Sequence, residues 1–313
     1  MKRAPPDLFF MRGVFFIVGP TATGKSEIAA DVAAKLGAEI VSADAFQIYR
    51  GLDLLTAKPD PATLARAPHH LVGTVSIFDE MSAAKFRERA LIAISEIHLR
   101  GKLAMAVGGS GLYIKALTHG LSSAAGSDPK TRAKLSKLNL DQLRRRLVDL
   151  DPQSARKIDT KNRRRVVRAL EICLLSGRPA SAQRTYWAGN IPAHGVFVFH
   201  DRDELYDRIN RRVEAMFDSG VIEEVREACG MSETASKMIG LREIRELLDG
   251  KMSILQCVAA IQQATRRYAK RQLTWFRRQT NFQPLNLSLL SHNEAVKEIS
   301  QLARSYGVAP GND

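Results

Sequence analysis

Residues Gly19–Ser26 are the stretch of this chain whose types and spacing point most directly to chemistry. A glycine, four residues and then Gly-Lys-Ser is the pattern of a phosphate-binding loop. In such a loop, backbone N–H groups cradle phosphate oxygens, Lys25 reaches the terminal phosphates and the Ser26 hydroxyl is a ligand of Mg²⁺. We therefore predict a site for a phosphorylated ligand and Mg²⁺ formed by Gly19, Pro20, Thr21, Ala22, Thr23, Gly24, Lys25 and Ser26.

A carboxylate follows the next predicted strand. Asp44 comes just after Ala38–Ser42, a short and mostly apolar run. Ligands of open α/β sheets bind beyond the carboxyl ends of the strands, so Asp44 is placed for chemistry. Three roles remain open for it at this point: a general base, a ligand of Mg²⁺ through water, or only the N-cap of a following helix.

A third predicted strand, Leu103–Val107, runs into Gly108-Gly-Ser-Gly111. An ATP-hydrolysing motor of the phosphate-loop class would carry a carboxylate there to organise Mg²⁺ and water. Glycines and the small hydroxyl of Ser110 predict instead that the backbone itself approaches the ligand, which argues against a motor.

The elements around these residues predict an α/β fold. Val14–Val18 is typical of a buried strand, and Glu27–Leu36 of a helix that ends at Gly37. Periodic apolar residues predict further helices over Ser82–Arg100 and Arg202–Ala228.

The charge of the chain is unbalanced. The 313 residues contain 47 Lys and Arg against 33 Asp and Glu, a net charge of +14, which suggests a polyanionic partner. From Lys130 to Arg168 there are fourteen basic and four acidic residues. We predict a P-loop NTPase-like parallel-sheet core of residues 1–120 and 195–313, interrupted by a small, basic, helical insertion domain of residues 121–194.

Two further basic stretches lie in the C-terminal part of the chain. Arg208, Arg211 and Arg212 fit a solvated helix flank better than a ligand site, although they could line a phosphate channel. In Thr265–Arg278, six basic residues occur without an acidic one. There we predict Trp275 as a core anchor and assign Arg266, Lys270 and Arg271 to an RNA backbone.

Composition narrows the class of protein. With 45% hydrophobic and 26% charged residues the chain is that of an ordinary globular protein. The three cysteines lack the spacing of a zinc site, and no apolar run has the length of a membrane span. We predict a cytoplasmic monomer without membrane association.

Taken together, the motifs resemble those of the bacterial tRNA dimethylallyltransferases, also called tRNA isopentenyltransferases, over nearly the whole chain. Eight blocks carry the resemblance in order: Gly19–Ser26, Ser42–Gly51, Thr56–Pro59, Pro68–Leu71, Val107–Tyr113, Asn162–Glu171, Ile239–Glu243 and Arg267–Arg277.

The resemblance implies an activity and partners. A dimethylallyl group would pass from dimethylallyl diphosphate, with Mg²⁺, to the exocyclic amine of the adenine just 3′ of the tRNA anticodon. It implies Asp44 as the general base, Ser110 beside the reacting groups and Lys25 on the leaving diphosphate. The residues that match tRNA-contacting positions are Asp44, Ala45, Phe46, Gln47, Ser110, Arg132, Arg164, Arg165, Val166, Val167 and Arg168.

The chain departs from the family pattern at a few positions. Ser110 stands where most members have threonine, Ala45 replaces a usual serine and Leu241 a common tyrosine. Two rival functions use the same phosphate loop: a small-molecule or nucleotide kinase, and a nucleic-acid-binding ATPase. The basic insertion disfavours the kinase, and the Gly108–Gly111 junction disfavours the ATPase.

Overall fold

The computed structural model describes residues 13–120, 128–183, 194–278 and 282–306. The chain divides into two compact units, one of Met1–Thr118 with Ile191–Asp313 and one of His119–Asn190. The predicted boundary at residue 121 lies outside the described residues, and the predicted return to the core at residue 195 falls inside a strand that begins at His194.

A six-stranded parallel sheet is the centre of the first unit. Its strands are β1 (Val14–Val18), β2 (Glu39–Ser42), β3 (His69–His70), β4 (Ala104–Gly108), β5 (His194–Phe199) and β6 (Gln283–Asn286). They lie in the order β3-β2-β4-β1-β5-β6, and neighbours pair in parallel. Because β1 lies between β4 and β5, the loop that follows it starts in the middle of the carboxyl edge of the sheet.

Helices surround the sheet and build the second unit. In chain order they are α1 (Lys25–Leu36), α2 (Asp53–Thr56), α3 (Pro61–Ala65), α4 (Ala83–Leu99), α5 (Gly111–His119), α6 (Pro129–Ser136), α7 (Leu140–Leu150), α8 (Pro152–Lys157), α9 (Arg163–Ser176), α10 (Ala180–Gln183), α11 (Arg202–Asp218), α12 (Val221–Glu227), α13 (Leu241–Leu248), α14 (Ile254–Phe276) and α15 (His292–Ser305). The second unit contains α6 to α10.

The sheet is covered on both faces, as expected for parallel strands. Along β1, Val14, Phe16 and Val18 belong to one apolar core, and Phe15 and Ile17 belong to the other. Helices α1 and α15 pack together on the second of these faces. The loop after β1 therefore starts from a strand that is packed on both faces and paired on both sides.

Local signals mark the ends of the helices that the sequence predicted. Gly37 ends α1 in the left-handed conformation, with φ of 64°, and the Ser82 hydroxyl accepts a hydrogen bond from the Lys85 N–H at the start of α4. The helix predicted over 202–228 is in fact two, because Gly220, with φ of 95°, separates α11 from α12. Otherwise the predicted fold class, a P-loop-type α/β sheet with a helical insertion, is confirmed.

The second unit has its own small core. Leu143 and Leu147 of α7 pack with Val166 and Leu170 of α9, and each of the four is fully buried. The Asp128 carboxylate caps α6 by accepting a hydrogen bond from the Thr131 N–H, and Pro129 is the first residue of this helix.

Candidate active site

The phosphate loop joins β1 to α1 in the conformation that its glycines allow. Gly24, the N-cap of α1, has φ of 78°, and no side chain caps this helix. The N–H groups of the first turn of a helix have no partner inside the helix, so the head of α1 offers donors to an anion. A Cβ at Gly19 would overlap the Val198 carbonyl oxygen, which explains the glycine there.

The loop is braced by its own side chains. The Thr23 hydroxyl and the Lys25 ammonium both donate to the Pro20 carbonyl oxygen, each at 3.0 Å. Burial lowers the pKa of Lys25 to about 8; the negative charge of Asp44 counters this, and the positive charge of Arg212 adds to it. Lys25 and Asp44 line the same cleft.

Asp44 caps a turn and faces the cleft at once. Its Oδ1 accepts hydrogen bonds from the N–H groups of Phe46 (2.9 Å) and Gln47 (3.2 Å). Within the described residues, Oδ2 has no hydrogen-bond partner. The segment after Asp44 is a turn and not a helix, so Asp44 caps this turn and not the helix considered for it, and one carboxylate oxygen is left for chemistry.

The residues that follow Asp44 are held in place by distant parts of the chain. The Ala45 N–H donates to the Ser110 hydroxyl at 2.9 Å, and the Gln47 side chain donates to the Ala57 carbonyl oxygen at 2.8 Å. Ser110 is only 8% exposed. The position of Ser110 beside Asp44 thus fixes the turn that carries the carboxylate.

The glycines at the end of β4 and just after it leave room for neighbouring parts of the protein. A Cβ at Gly108 would overlap the backbone of Ala43, one at Gly109 would overlap the Gln272 amide, and one at Gly111 would overlap the Trp275 ring. The expectation that this backbone approaches the ligand stays a prediction. At Gly109 and Gly111 protein packing is a sufficient reason for glycine, because protein atoms lie where a Cβ would be.

Three arginines of α11 line the cleft, and the interpretation as a solvated flank was wrong for Arg208 and Arg212, because both donate to the phosphate loop. Arg208 donates to the Ala22 carbonyl oxygen at 2.8 Å, and Arg212 donates to the Thr21 hydroxyl at 3.0 Å. Arg211, by contrast, is exposed. The spacing of 208, 211 and 212 places all three on one helix face, but the sequence does not show that this face meets the phosphate loop.

Gln272 is a further residue of the site, and its role was not predicted from the sequence. It is 5% exposed, accepts a hydrogen bond from the Thr21 N–H at 2.9 Å and donates to the Gly109 carbonyl oxygen at 2.9 Å. The signal for Gln272 in the sequence is an uncharged polar residue within a stretch of α14 that is otherwise rich in Lys and Arg. Trp275, three positions before the end of the basic stretch Thr265–Arg278, packs against the core as predicted.

Arg266, Lys270 and Arg271, the residues of α14 that were assigned to RNA, differ in their exposure and contacts. Arg266 donates to the side-chain oxygen of Asn210 at 3.2 Å through Nε, so it is engaged inside the protein. Lys270 and Arg271 are exposed and border a surface depression together with Trp275.

The cleft at the head of α1 has a volume of about 530 Å³. Its walls are formed by Thr21, Ala22, Gly24, Lys25, Ser26, Glu27, Asp44, Gln47, Thr56, Ala57, Lys58, Pro59, Asp60, Thr63, Arg208, Arg211 and Arg212. A smaller, mostly apolar pocket of about 60 Å³ shares Thr21, Asp44, Thr56 and Arg212 with this cleft. Asp44 thus lines both the charged cleft and the apolar pocket.

The donor atoms at the cleft fit Mg²⁺ in the manner of phosphate-loop proteins. Ser26 and Asp44, both oxygen donors, line the cleft together, and Mg²⁺ commonly takes few protein ligands and completes its shell with water and phosphate. Among the described residues, no group of three or more His, Cys, Asp and Glu side chains is arranged to hold a metal ion by itself.

The remaining predicted tRNA contacts lie in the helical unit. Arg132 and Arg168 both form ion pairs with Glu171, whereas Arg164 and Arg165 are exposed on α9. Val167 is partly buried, and Val166 is fully buried in the core of the unit, so its side chain offers nothing to a ligand. Within the described part of the chain, no helix is both long and apolar enough to cross a membrane.

Comparison with protein families gives one match over most of the chain. The family model described as IPP transferase matches residues 47–279. The tRNA dimethylallyltransferase of Akkermansia muciniphila is 41% identical, over 90% of this chain and 96% of that protein. The tRNA dimethylallyltransferase 1 of Citrifermentans bemidjiense is 43% identical, over 84% of this chain and 88% of that protein.

Solved structures show the same relationship. The full-length tRNA isopentenylpyrophosphate transferase from Bacillus halodurans has a TM-score of 0.71 and 33% identity, covering 94% of this chain and 96% of that one. A eukaryotic dimethylallyltransferase acting on tRNA has a TM-score of 0.76 and 26% identity, covering 87% of this chain and 73% of that one.

Proposed function

This chain belongs to the IPP transferase family and is a prenyltransferase, and we propose that it transfers a dimethylallyl group from dimethylallyl diphosphate to tRNA. The acceptor is the exocyclic amine of the adenosine that is 3′-adjacent to the anticodon, and diphosphate is released. One observation carries the proposal: the phosphate loop, Asp44 and the arginines of α11 converge on a single cleft.

The diphosphate of the donor binds at the head of α1. Lys25, Arg208 and Arg212 surround this end of the cleft, and first-turn N–H groups of α1 point to it. These positive groups stabilise the negative charge that grows on the diphosphate as it leaves. When bound at Ser26, Mg²⁺ supplies further charge neutralisation of the leaving group.

The prenyl chain of the donor occupies the apolar pocket beside Asp44. Leu55, Ile209, Val213 and Met216 are among the side chains that line it. An apolar five-carbon group is stabilised there by removal from water, and its reactive carbon is brought to the junction with the charged cleft.

The transfer itself is a substitution at the allylic carbon. The bond between this carbon and the diphosphate oxygen breaks, and the electron pair leaves with the diphosphate. The adenine amine nitrogen forms the new bond to the carbon, and its proton passes to Oδ2 of Asp44. Because Oδ1 is held by two N–H groups, Oδ2 is fixed in direction without being occupied within the described residues.

A transfer assay tests the proposal. The protein is incubated with labelled dimethylallyl diphosphate, Mg²⁺ and tRNA, and incorporation of label into tRNA is measured. In Asp44→Asn the amide oxygen still accepts from Phe46 and Gln47, so the turn is kept while the base is lost. We expect the transfer rate to fall by about 10²- to 10⁴-fold, with the affinities for both substrates largely retained.

Two results would contradict this function. Release of phosphate from ATP without prenyl transfer would indicate one of the rival phosphate-loop activities. A Lys25→Ala variant that loses tRNA affinity as strongly as diphosphate affinity would contradict the assignment of the loop to the leaving group.

A further inference from the structure

The carboxylate of Glu171 is the centre of a charge cluster in the helical unit. Its Oε1 accepts hydrogen bonds from Arg132 Nε at 3.0 Å and from the Asp128 N–H at 2.9 Å. Its Oε2 accepts from a terminal nitrogen of Arg168 at 2.7 Å and from one of Arg132 at 3.3 Å. One acid thus joins two arginines that come from different helices, α6 and α9.

The exposure of the three side chains is unequal. Glu171 is fully buried, whereas 47% of the Arg132 side chain and 39% of the Arg168 side chain are exposed. The cluster therefore hides its negative charge and presents its two positive ones at the surface. Counted over these three groups, the charge is +1.

Stability alone does not account for this arrangement. A buried ion pair loses about as much solvation as it gains in attraction, and apolar side chains of similar volume often serve as well. Two guanidinium groups, however, repel each other, and a shared carboxylate is what allows both to stay close together.

We propose that Glu171 is a positioning residue that holds Arg132 and Arg168 side by side as one binding site for the phosphate backbone of tRNA. The inference rests on the proposed function, because the polyanion in question is the tRNA substrate. Guanidinium groups suit this role because each has several N–H donors in a rigid plane that can bind phosphate oxygens in pairs. Fixing them before the RNA arrives reduces the entropy that binding removes.

The sign of one substitution separates positioning from simple charge. Glu171→Gln removes a negative charge next to the RNA site, so a purely electrostatic role predicts tighter binding of tRNA. A positioning role predicts weaker binding, since the neutral amide no longer holds two guanidinium groups. Glu171→Asp is the second variant, because it keeps the charge but shortens the reach to the arginines.

The matched control is Asp151→Asn in the same unit. Asp151 is 1% exposed and accepts hydrogen bonds from Ser154 and Ser181, with no arginine among these contacts. This change also removes one buried negative charge. It reports what such a loss does to the helical unit without disturbing the arginine pair.

The experiment measures tRNA affinity of the full chain across a range of salt concentrations, together with the steady-state constants of prenyl transfer. We expect Glu171→Gln and Glu171→Asp to raise the Kd and the KM for tRNA about tenfold, a usual coupling within one ion-pair network. The kcat and the KM for dimethylallyl diphosphate stay near the wild-type values. The slope of log Kd against log salt concentration becomes shallower, as for lost phosphate contacts.

The inference fails if either folded Glu171 variant binds tRNA as tightly as the wild type. It also fails if Glu171→Gln weakens binding as much in an Arg132→Ala, Arg168→Ala background as in the wild type, since Glu171 would then not act through the arginines. A wild-type protein that transfers no prenyl group to tRNA would instead contradict the proposed function itself.

Discussion

Gln272 and Thr21 are 251 positions apart in the chain, and the Thr21 N–H donates to Gln272 Oε1 at 2.9 Å. The other end of the same amide donates to the Gly109 carbonyl oxygen. Helix α14 therefore ties the phosphate loop to the turn after β4, and the Gln272 amide fixes the distance between them.

Gln272→Leu removes both hydrogen bonds and leaves the partly buried Thr21 N–H and the buried Gly109 carbonyl oxygen without this partner. We expect a loss of about 2 to 4 kcal/mol in the free energy of unfolding, the cost of two unsatisfied groups, measured by urea denaturation. The KM for dimethylallyl diphosphate should rise because the loop is no longer held. Gln263→Leu, an exposed position on the same helix, is the control. Equal effects of the two variants would contradict the tie.

The sequence predicted the elements that local chemistry determines. The strand before the loop, the helix after it and their glycine boundaries follow from residue types that are close together in the chain. Arg208 and Gln272 could not be assigned in this way. Their roles depend on α11 and α14 lying beside a loop about 190 and 250 residues earlier.

The glycines after β4 illustrate the same limit. The glycines at 109 and 111 predicted a close approach of the backbone to another group, but the identity of that group cannot be read from the sequence. A ligand and a packed helix produce the same requirement. Only the position of Gln272 and Trp275 identifies the helix as the cause.

Lys25 should make catalysis depend on pH. Burial lowers its pKa to about 8, so the free enzyme has a charged ammonium below this pH and a neutral amine above it. We expect kcat/KM for dimethylallyl diphosphate to fall as pH rises through about 8, because the leaving group loses a positive partner. In Lys25→Arg the charge persists at higher pH, so this decline should disappear from its pH profile. A decline that persists in the arginine variant would assign it to another group.

Glu39 should make stability depend on pH in the acid range. Hydrogen bonds from Arg100, the largest influence, and from His70 and Lys102 lower the pKa of Glu39 to about 2 against the opposing effect of burial. Since the folded pKa lies below the ordinary value of 4.5, the stabilisation is complete above about pH 4.5 and is lost as pH falls toward 2.

Glu39→Gln is therefore expected to lower the free energy of unfolding by about 2 kcal/mol at pH 7. The difference from the wild type should shrink at pH 3.5, where the wild type itself has begun to lose the contribution. Urea denaturation at the two pH values measures both numbers. A difference that is the same at pH 7 and pH 3.5 would show that the charge of Glu39 is not its source.

Arg212→Ala should impair the donor site far more than the loss of one surface charge can explain. Arg212 donates to the Thr21 hydroxyl, and burial lowers the pKa of its guanidinium although Asp44 opposes this, so it is a desolvated charge beside the cleft. We expect kcat/KM for dimethylallyl diphosphate to fall by about 10²-fold or more, the effect of losing one buried stabiliser of a leaving anion.

Arg202→Ala removes the same charge from an exposed position of α11 outside the cleft and should change kcat/KM less than about twofold. Steady-state kinetics at fixed tRNA concentration compares the two variants. Similar losses in both would mean that α11 contributes only a general positive field, whereas a loss confined to Arg212 places that side chain on the diphosphate.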